Sequence, residues 1–189
     1  MTGHRCVLVR HGETQWSRTG RHTGHTDLAL LPEGEAQILR LAPVLAGFEF
    51  TTVLTSPLLR ARQTGALAGL DERAEIDPDL VEWDYGSFEG LTTPEIRVDH
   101  PGWDLFDDGA PGGESATQVG IRVDRVIRRV RAVPGDVACV AHGHVLRVLG
   151  ARWIGLPASS ARAFALAPAS ISVLGWEREQ PVIAGWNRR

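Results

Sequence analysis

The 189 residues carry 20 Lys+Arg against 23 Asp+Glu, a formal charge of −3, and every cation is an arginine. The absence of lysine excludes lysine-bearing phosphate loops, kinase cores, Schiff-base catalysis and pyridoxal anchoring. Arginine instead grips planar oxyanions bidentately, with a charge that does not titrate.

In chain order, Cys6-Val7-Leu8-Val9 reads as a compact buried strand. Residues 32–45 read as a helix, with Pro32 in its first turn, Glu33 and Glu35 against the dipole, and Ile38, Leu41, Ala42 and Leu45 on one face. Thr52-Val53-Leu54 is a second strand, residues 58–70 a second helix, and residues 74–76 a weak third strand. The stretch 99–113, rich in Pro, Gly, Asp and Trp, reads as a long surface excursion of the kind that forms a lid or wall. Residues 115–133 predict an amphipathic helix. Val119, Val123, Val126, Ile127 and Val130 face inward, and Arg122, Arg125, Arg128, Arg129 and Arg131 are solvated. Residues 137–141 form a central-strand run, 145–154 a helix, and 171–174 and 182–183 late strands at a sheet edge.

This alternation predicts an α/β fold, layered around a mostly parallel sheet. The length suits one domain spanning 1–189, with 92–114 as the wall. With 43% hydrophobic and 23% charged residues, the composition is that of a soluble globular chain with no electrostatic call for nucleic acid or membrane. No apolar run approaches the ~18 residues of a membrane span, and the N-terminus leads too soon into a strand for a secretory segment. Cys6 and Cys139 sit in apolar runs and read as buried thiols of a cytoplasmic protein.

In open α/β sheets chemistry gathers at the carboxyl ends of the strands. There the chain places Arg10-His11-Gly12-Glu13-Thr14, Ser56-Pro57-Leu58-Leu59-Arg60-Ala61-Arg62, Glu82-Trp83-Asp84-Tyr85-Gly86 and His142-Gly143-His144. A neutral imidazole attacks phosphorus without a metal. Two arginines, Arg10 and Arg62, can fork onto the equatorial oxygens, a second histidine completes the cradle, and a carboxylic acid protonates the leaving oxygen.

These motifs, with Trp16, Thr23-Gly24, Thr64, Glu89-Gly90 and Gly113-Glu114-Ser115, make the sequence resemble the histidine phosphatase superfamily of phosphoglycerate-mutase-like proteins from Val7 to Trp176. The resemblance implies a three-layer α/β/α sandwich around a mixed sheet. It implies His11 as the phosphorylated nucleophile, Arg10, Arg62 and His142 as the phosphate pocket, and Glu82 as proton donor. Ser17, Thr23, Gly24, Tyr85, Gly143 and His144 are expected against the substrate, and His22 at the entrance. Ser17 stands where the family's mutases carry Asn. Thr92-Thr93 stand where those mutases carry a substrate-binding lysine, and Asp104, Asp107 and Asp108 are expected to repel a phosphoglycerate.

The expected activity is therefore a metal-independent, cofactor-free phosphomonoesterase working through phosphohistidine on a sugar phosphate or similar small ester. Phosphoglycerate mutase-type transfer is the alternative within the family. A metal-dependent hydrolase built on His142-Gly143-His144 and a non-catalytic phosphate-binding domain are the alternatives outside it. Oligomeric state is open, a homodimer among the options.

Overall fold

The computed structural model describes residues 4–189. Its elements are β1 (Cys6–Arg10), α1 (Gln15–Thr19), α2 (Pro32–Leu45), β2 (Phe50–Thr55), α3 (Leu59–Leu67), β3 (Ala74–Ile76), α4 (Thr93–Asp99), α5 (Leu105–Asp108), α6 (Ala116–Ala132), β4 (Asp136–Ala141), α7 (Gly143–Trp153), β5 (Ile171–Glu177) and β6 (Gln180–Arg188), joined by turns and short 3-10 segments. The strands make one six-stranded sheet in the order β3-β2-β4-β1-β5-β6. The first four run parallel, and β5 and β6 are antiparallel additions. This is the layered, mostly parallel architecture expected from the alternation of elements.

Period-two side-chain alternation divides the core between the sheet's two faces. Cys6, Leu8, Leu54 and Cys139 pack with Val119, Val123 and Val126 of α6 and with Val145 and Leu149 of α7. Val7, Val9, Val53 and Val140 pack with Ile38, Leu41 and Leu45 of α2 and Ala61 of α3. At the start of α6 the Ser115 side chain accepts from the Gln118 amide while Gln118 reaches back to the Ser115 amide, a reciprocal cap. α2 begins at Leu31 without a side-chain cap and relies on Pro32 and on Glu33 and Glu35 in its first turn.

Three expectations change. The late strands are longer than their apolar cores suggested: β5 and β6 form a hairpin of 7 and 9 residues, with β6 at the sheet edge. The excursion is packed structure carrying α4 and α5 rather than irregular chain, with Trp103, Leu105 and Phe106 buried. Arg122 is buried rather than solvated.

Parallel register fixes where the strands end. Arg10 lies opposite Ala141, and Thr55 opposite Val140. The segments that follow β1, β2 and β4 therefore leave the sheet side by side, and the candidate site is built from them.

Candidate active site

His11 lies one residue beyond β1, and its backbone is held from both sides. Its N–H donates to Ala141 O at 3.0 Å and its carbonyl accepts from Ala169 N at 3.0 Å. The ring Nδ1 is 2.7 Å from the Gly12 carbonyl, which can only accept, so Nδ1 carries the proton and Nε2 keeps its lone pair. Burial, reinforced by the charges of Arg10 and Arg60, holds the His11 pKa well below the usual histidine value of 6.5.

The His142 ring packs against it at 5.2 Å between centroids. Arg60 Nε donates to His142 Nδ1 at 3.0 Å, so the His142 proton is on Nε2, which donates to Ser56 Oγ at 2.7 Å. Burial and the Arg60 charge push the His142 pKa down as well. With both nitrogens engaged, the fully buried His142 packs against His11 and is not among the residues lining the cavity.

The arginine beside this pair is Arg60, which corrects the expectation of Arg62. Arg60 is fully buried, and its Nη1 and Nη2 donate to the carbonyls of Thr26, Thr23 and Gly24 at 2.9–3.0 Å. Arg62 is exposed and borders a different cleft with Leu59, Gln63 and Ile76. Residues two apart on an α-helix point about 200° from each other, so α3 can present only one of the two arginines to the site. The readable signal was the spacing of Arg60 and Thr64, which share a helix face. The Thr64 hydroxyl accepts from Gly12 N and donates to Arg60 O.

Gly24 is likewise not at the substrate. It is buried behind the wall, where a Cβ would come within 2.7 Å of the Trp83 carbonyl, and its N–H donates to Glu89. Thr23 borders the cavity, but its hydroxyl donates to Arg21 O. Ser17 borders it too, with its hydroxyl tied to the backbone of Thr14.

Glu82 also lines the cavity and is 5% exposed. Its Oε1 accepts from Trp83 N and Val145 N, both at 2.9 Å, and Oε2 accepts from His144 N at 3.0 Å. A carboxyl group has about four lone-pair positions, so one remains on Oε2 for an exchangeable proton. The segment behind Glu82 is braced by Arg122. Its guanidinium donates to the carbonyls of Asp79, Val81 and Glu82 at 2.7–3.1 Å and pairs with Glu114 at 2.8 Å. Glu114 in turn accepts from Asp84 N, and its carbonyl accepts from Trp83 Nε1. Asp84 turns its own carboxylate to Gly86 N, away from Glu82. Arg122 and Glu114 were missed as supports of the site, because the amphipathic pattern of α6 assigned its arginines to solvent.

Together these residues surround a cavity of about 270 Å³, lined among others by Arg10, His11, Glu82, Tyr85, Gly143 and His144. That is at the small end of ligand sites, which run to roughly 300–1,000 Å³. Arg10 donates through Nη1 to Leu166 O, while its buried Nε has no partner among the described residues. Burial lowers its pKa only to about 10, so the guanidinium remains charged. A Cβ at Gly143 would stand 3.1 Å from the Arg10 guanidinium carbon, so glycine is what lets Arg10 approach the N-terminus of α7. An unpaired guanidinium N–H beside a helix N-terminus is a site for an oxyanion.

The outer wall is aromatic. Tyr85 Oη and His144 Nδ1 share a 2.5 Å hydrogen bond, and burial raises the phenol's pKa well above 10 and lowers that of His144. His22 lies 4.8 Å from the Tyr85 ring and 5.5 Å from Trp103, and burial brings its pKa down to about 4. Asp104, Asp107 and Asp108 do not face the cavity. Asp104 caps Phe106 N, Asp107 pairs with Arg162, and Asp108 accepts from Asp104 N. None of the three lines the cavity, although the Asp104 charge still acts on Arg147 at its rim.

Among the described residues no cluster of three or more His, Cys, Asp or Glu side chains is arranged to hold a metal ion. The two histidines of His142-Gly143-His144 diverge, one to Arg60 and Ser56, the other to Tyr85.

Residues 6–189 match the family described as the histidine phosphatase superfamily (branch 1). The chain belongs to the histidine phosphatase superfamily. An acid phosphatase of Mycobacterium tuberculosis is 42% identical, over 92% of this histidine phosphatase and 87% of that protein. A sedoheptulose 1,7-bisphosphatase of Saccharomyces cerevisiae is 40% identical, over 80% of this chain and 68% of the yeast one. A solved structure of an open reading frame product of Mycobacterium tuberculosis superposes with a TM-score of 0.94 at 40% identity, covering 98% of this chain and 97% of that one.

Two outcomes follow for this histidine phosphatase. Arg60→Ala strands His142 Nδ1 and removes a buried charge, so kcat/KM on an aryl phosphate should fall by about 100-fold or more, whereas Arg62→Ala should change it by less than about twofold. Steady-state assays of the two variants compare them directly.

Acid sensitivity is the second. His22 is neutral when folded, with a pKa of about 4 against 6.5 for the free side chain. Its lowered pKa costs nothing above pH 6.5, and the penalty grows as pH falls from there to about 4. Urea unfolding at pH 7 and pH 4.5 should show a stability loss about 2 kcal/mol smaller in His22→Phe than in the unsubstituted protein.

Proposed function

We propose that this histidine phosphatase hydrolyses small phosphomonoesters without a metal, by way of a phosphohistidine at His11. The observation that carries the reading is the donation of His11 Nδ1–H to the Gly12 carbonyl at 2.7 Å, which keeps the Nε2 lone pair available in a cavity shared with Arg10 and Glu82.

In the first step Nε2 attacks phosphorus as the ester P–O bond breaks, and Glu82 gives its Oε2 proton to the departing oxygen. Arg10 and the N-terminus of α7 receive the equatorial oxygens. The packed ring of His142 holds the nucleophile in place, and burial with the charges of Arg10 and Arg60 keeps it neutral. In the second step water attacks phosphorus, Glu82 takes a proton from it, and the N–P bond breaks to release inorganic phosphate.

Hydrolysis rather than transfer is supported by Ser17, whose hydroxyl is committed to Thr14, and by Thr93 on the cavity wall near where a mutase lysine is expected. A sugar phosphate as substrate is supported by the cavity of about 270 Å³ and by the yeast relative's name. The whole chain acts as one catalytic domain, with 92–114 as its wall. A cytoplasmic setting fits the two buried thiols of Cys6 and Cys139, left free at 3.8 Å. No helix among the described residues is long and apolar enough to cross a membrane.

His11→Ala should reduce hydrolysis of an aryl phosphate to background while thermal unfolding stays cooperative. Glu82→Gln should slow alkyl phosphates by about 10²–10⁴-fold and aryl phosphates far less, because a good leaving group needs no proton. Equal losses on the two ester classes would remove Glu82 from the proton-transfer role, and a chelator that abolished turnover would count against the metal-free mechanism.

A further inference from the structure

The irregular segment 164–170, just before β5, holds both Arg10 and His11 by its backbone. The Leu166 carbonyl accepts from Arg10 Nη1, and the Ser170 carbonyl accepts from Arg10 N at 3.0 Å. Ala169 N donates to the His11 carbonyl at 3.0 Å. The segment has no helix or strand of its own to fix these groups, so its shape depends on what it is tied to.

The tie is a bulge in β6. Val173 of β5 pairs with Gly185, but Ile171 pairs with Arg188, so β6 carries one residue more than β5 across this interval. Within the bulge Asn187 has a φ of 53°, left-handed backbone that asparagine tolerates better than most residues. Such backbone is costly and persists where surrounding contacts over-determine it. Here both bulge side chains reach the segment. Trp186 Nε1 donates to Ala165 O at 2.6 Å, and its ring meets Phe164 edge-on at 5.2 Å between centroids. Asn187 Oδ1 accepts from Ala167 N at 2.8 Å, and Asn187 N donates to Ser172 Oγ at 3.0 Å. The Ser170 hydroxyl donates to the Ala167 carbonyl at 2.7 Å, so both backbone groups of Ala167 are held, midway between Leu166 and Ala169. Electrostatics shows the same proximity. Burial is the main influence on the Arg10 guanidinium, the charges of Glu82 and Tyr85 favour its protonated form, and those of Arg147 and of Arg189, two residues beyond Asn187, oppose it.

We propose that Asn187 is a positioning residue for the reaction: through the Ala167 amide it fixes segment 165–170, which aims the Arg10 guanidinium and holds His11 for attack. This deepens the reading of the site as a phosphomonoesterase and rests on it. Neither Asn187 nor Ala167 lines the cavity, so the effect on catalysis runs through Arg10 and His11. A guanidinium bonded at Nη1 moves with the carbonyl that holds it, and a misplacement of about 1 Å can cost on the order of 10²-fold in rate. Loss of one neutral hydrogen bond loosens that carbonyl without freeing it, so a smaller loss is expected.

Two variants separate the hydrogen bond from the backbone. Asn187→Gly keeps the left-handed conformation and deletes the acceptor, whereas Asn187→Asp keeps both. Each is assayed on an aryl phosphate at a temperature where thermal melts show it folded. In Asn187→Gly, kcat/KM should fall about 10-fold, and the inhibition constant of orthovanadate, a five-coordinate mimic of the transferring group, should rise by a similar factor. Asn187→Asp should keep most of both. The inhibition constant decides, because it does not depend on how many molecules are folded. An unchanged constant in Asn187→Gly overturns the positioning role whatever happens to kcat, and so does an equal rise in Asn187→Asp. Should Asn187→Gly fail to melt cooperatively, Ser172→Ala, which releases the Asn187 amide, takes its place, with a rise of about threefold expected and no rise decisive against the role. A protein that hydrolyses no aryl phosphate defeats the phosphatase reading instead. The role of Asn187 is then judged by hydrogen exchange: the Ala167 and Ala169 amides should exchange about 10-fold faster in Asn187→Gly than in the unsubstituted protein, and equal rates overturn it.

Discussion

The site depends on one backbone constraint, the in-register parallel pairing of β1 with β4. Because Arg10 stands opposite Ala141, the next residues of both strands emerge level, and the ladder runs on by one bond from His11 N to Ala141 O. The His11 carbonyl is taken from the other side by Ala169, whose φ of 49° places a non-glycine residue in the left-handed region. His11 is thus positioned by sheet hydrogen bonds rather than by a loop, and its ring orientation follows from the neighbouring carbonyl of Gly12. A slip of one residue between the strands would exchange the two core faces and separate the two histidines together.

Electrostatics is the second layer, and it runs opposite to the usual economy of protein interiors. Arg60 is fully buried with no carboxylate of the described residues in ion-pair contact, a costly state met by the carbonyls of Thr23, Gly24 and Thr26. The Thr23-Gly24 signature therefore acts at one remove from substrate, as the receptor for an arginine. Burial is the main cause that keeps His11, His142, His22 and His144 neutral, and the Arg60 charge adds to it at His11 and His142. Neutral imidazoles beside fixed guanidinium charges are the combination that the proposed attack on a phosphate dianion requires. Acid undoes both properties at once, since protonating these rings adds like charge to a site already cationic.

Much of this was legible in the sequence, and the failures have identifiable causes. Short apolar runs located the strands, and the rule that chemistry sits at their carboxyl ends pointed to His11, Glu82 and His142, of which the structure packs His11 against His142 and lines the cavity with His11 and Glu82. Arg60 was hidden because a motif names residue types in a row, whereas a helix shows only one of two arginines two positions apart. The buried partners Thr64 and Ala61 carry the phase that resolves it. Arg122 was hidden by the opposite error, in which helical phase was trusted over chemistry. It lies at the margin of the apolar stripe of α6, where a long side chain can turn inward to reach carbonyls. The acids of 104–108 show a third limit: composition counts charges but not the caps and pairs that aim them elsewhere.

The absence of lysine from the chain takes on structural content at these positions. Arg122 serves the carbonyls of Asp79, Val81 and Glu82 and both oxygens of Glu114 at the same time. That is five acceptors spread over a plane, which a lysine with three donors on one nitrogen cannot reach. The Glu82 carboxyl is placed by this brace on one side and by the amides of α7 on the other. Whatever drove the chain to use arginine alone, the placement of Glu82 and of the buried ring of His142 now depends on planar, multiply donating side chains. At Arg60 and Arg122 even a charge-conserving change to lysine would leave several buried carbonyls without a donor, so both positions are constrained by hydrogen-bond number as well as by charge.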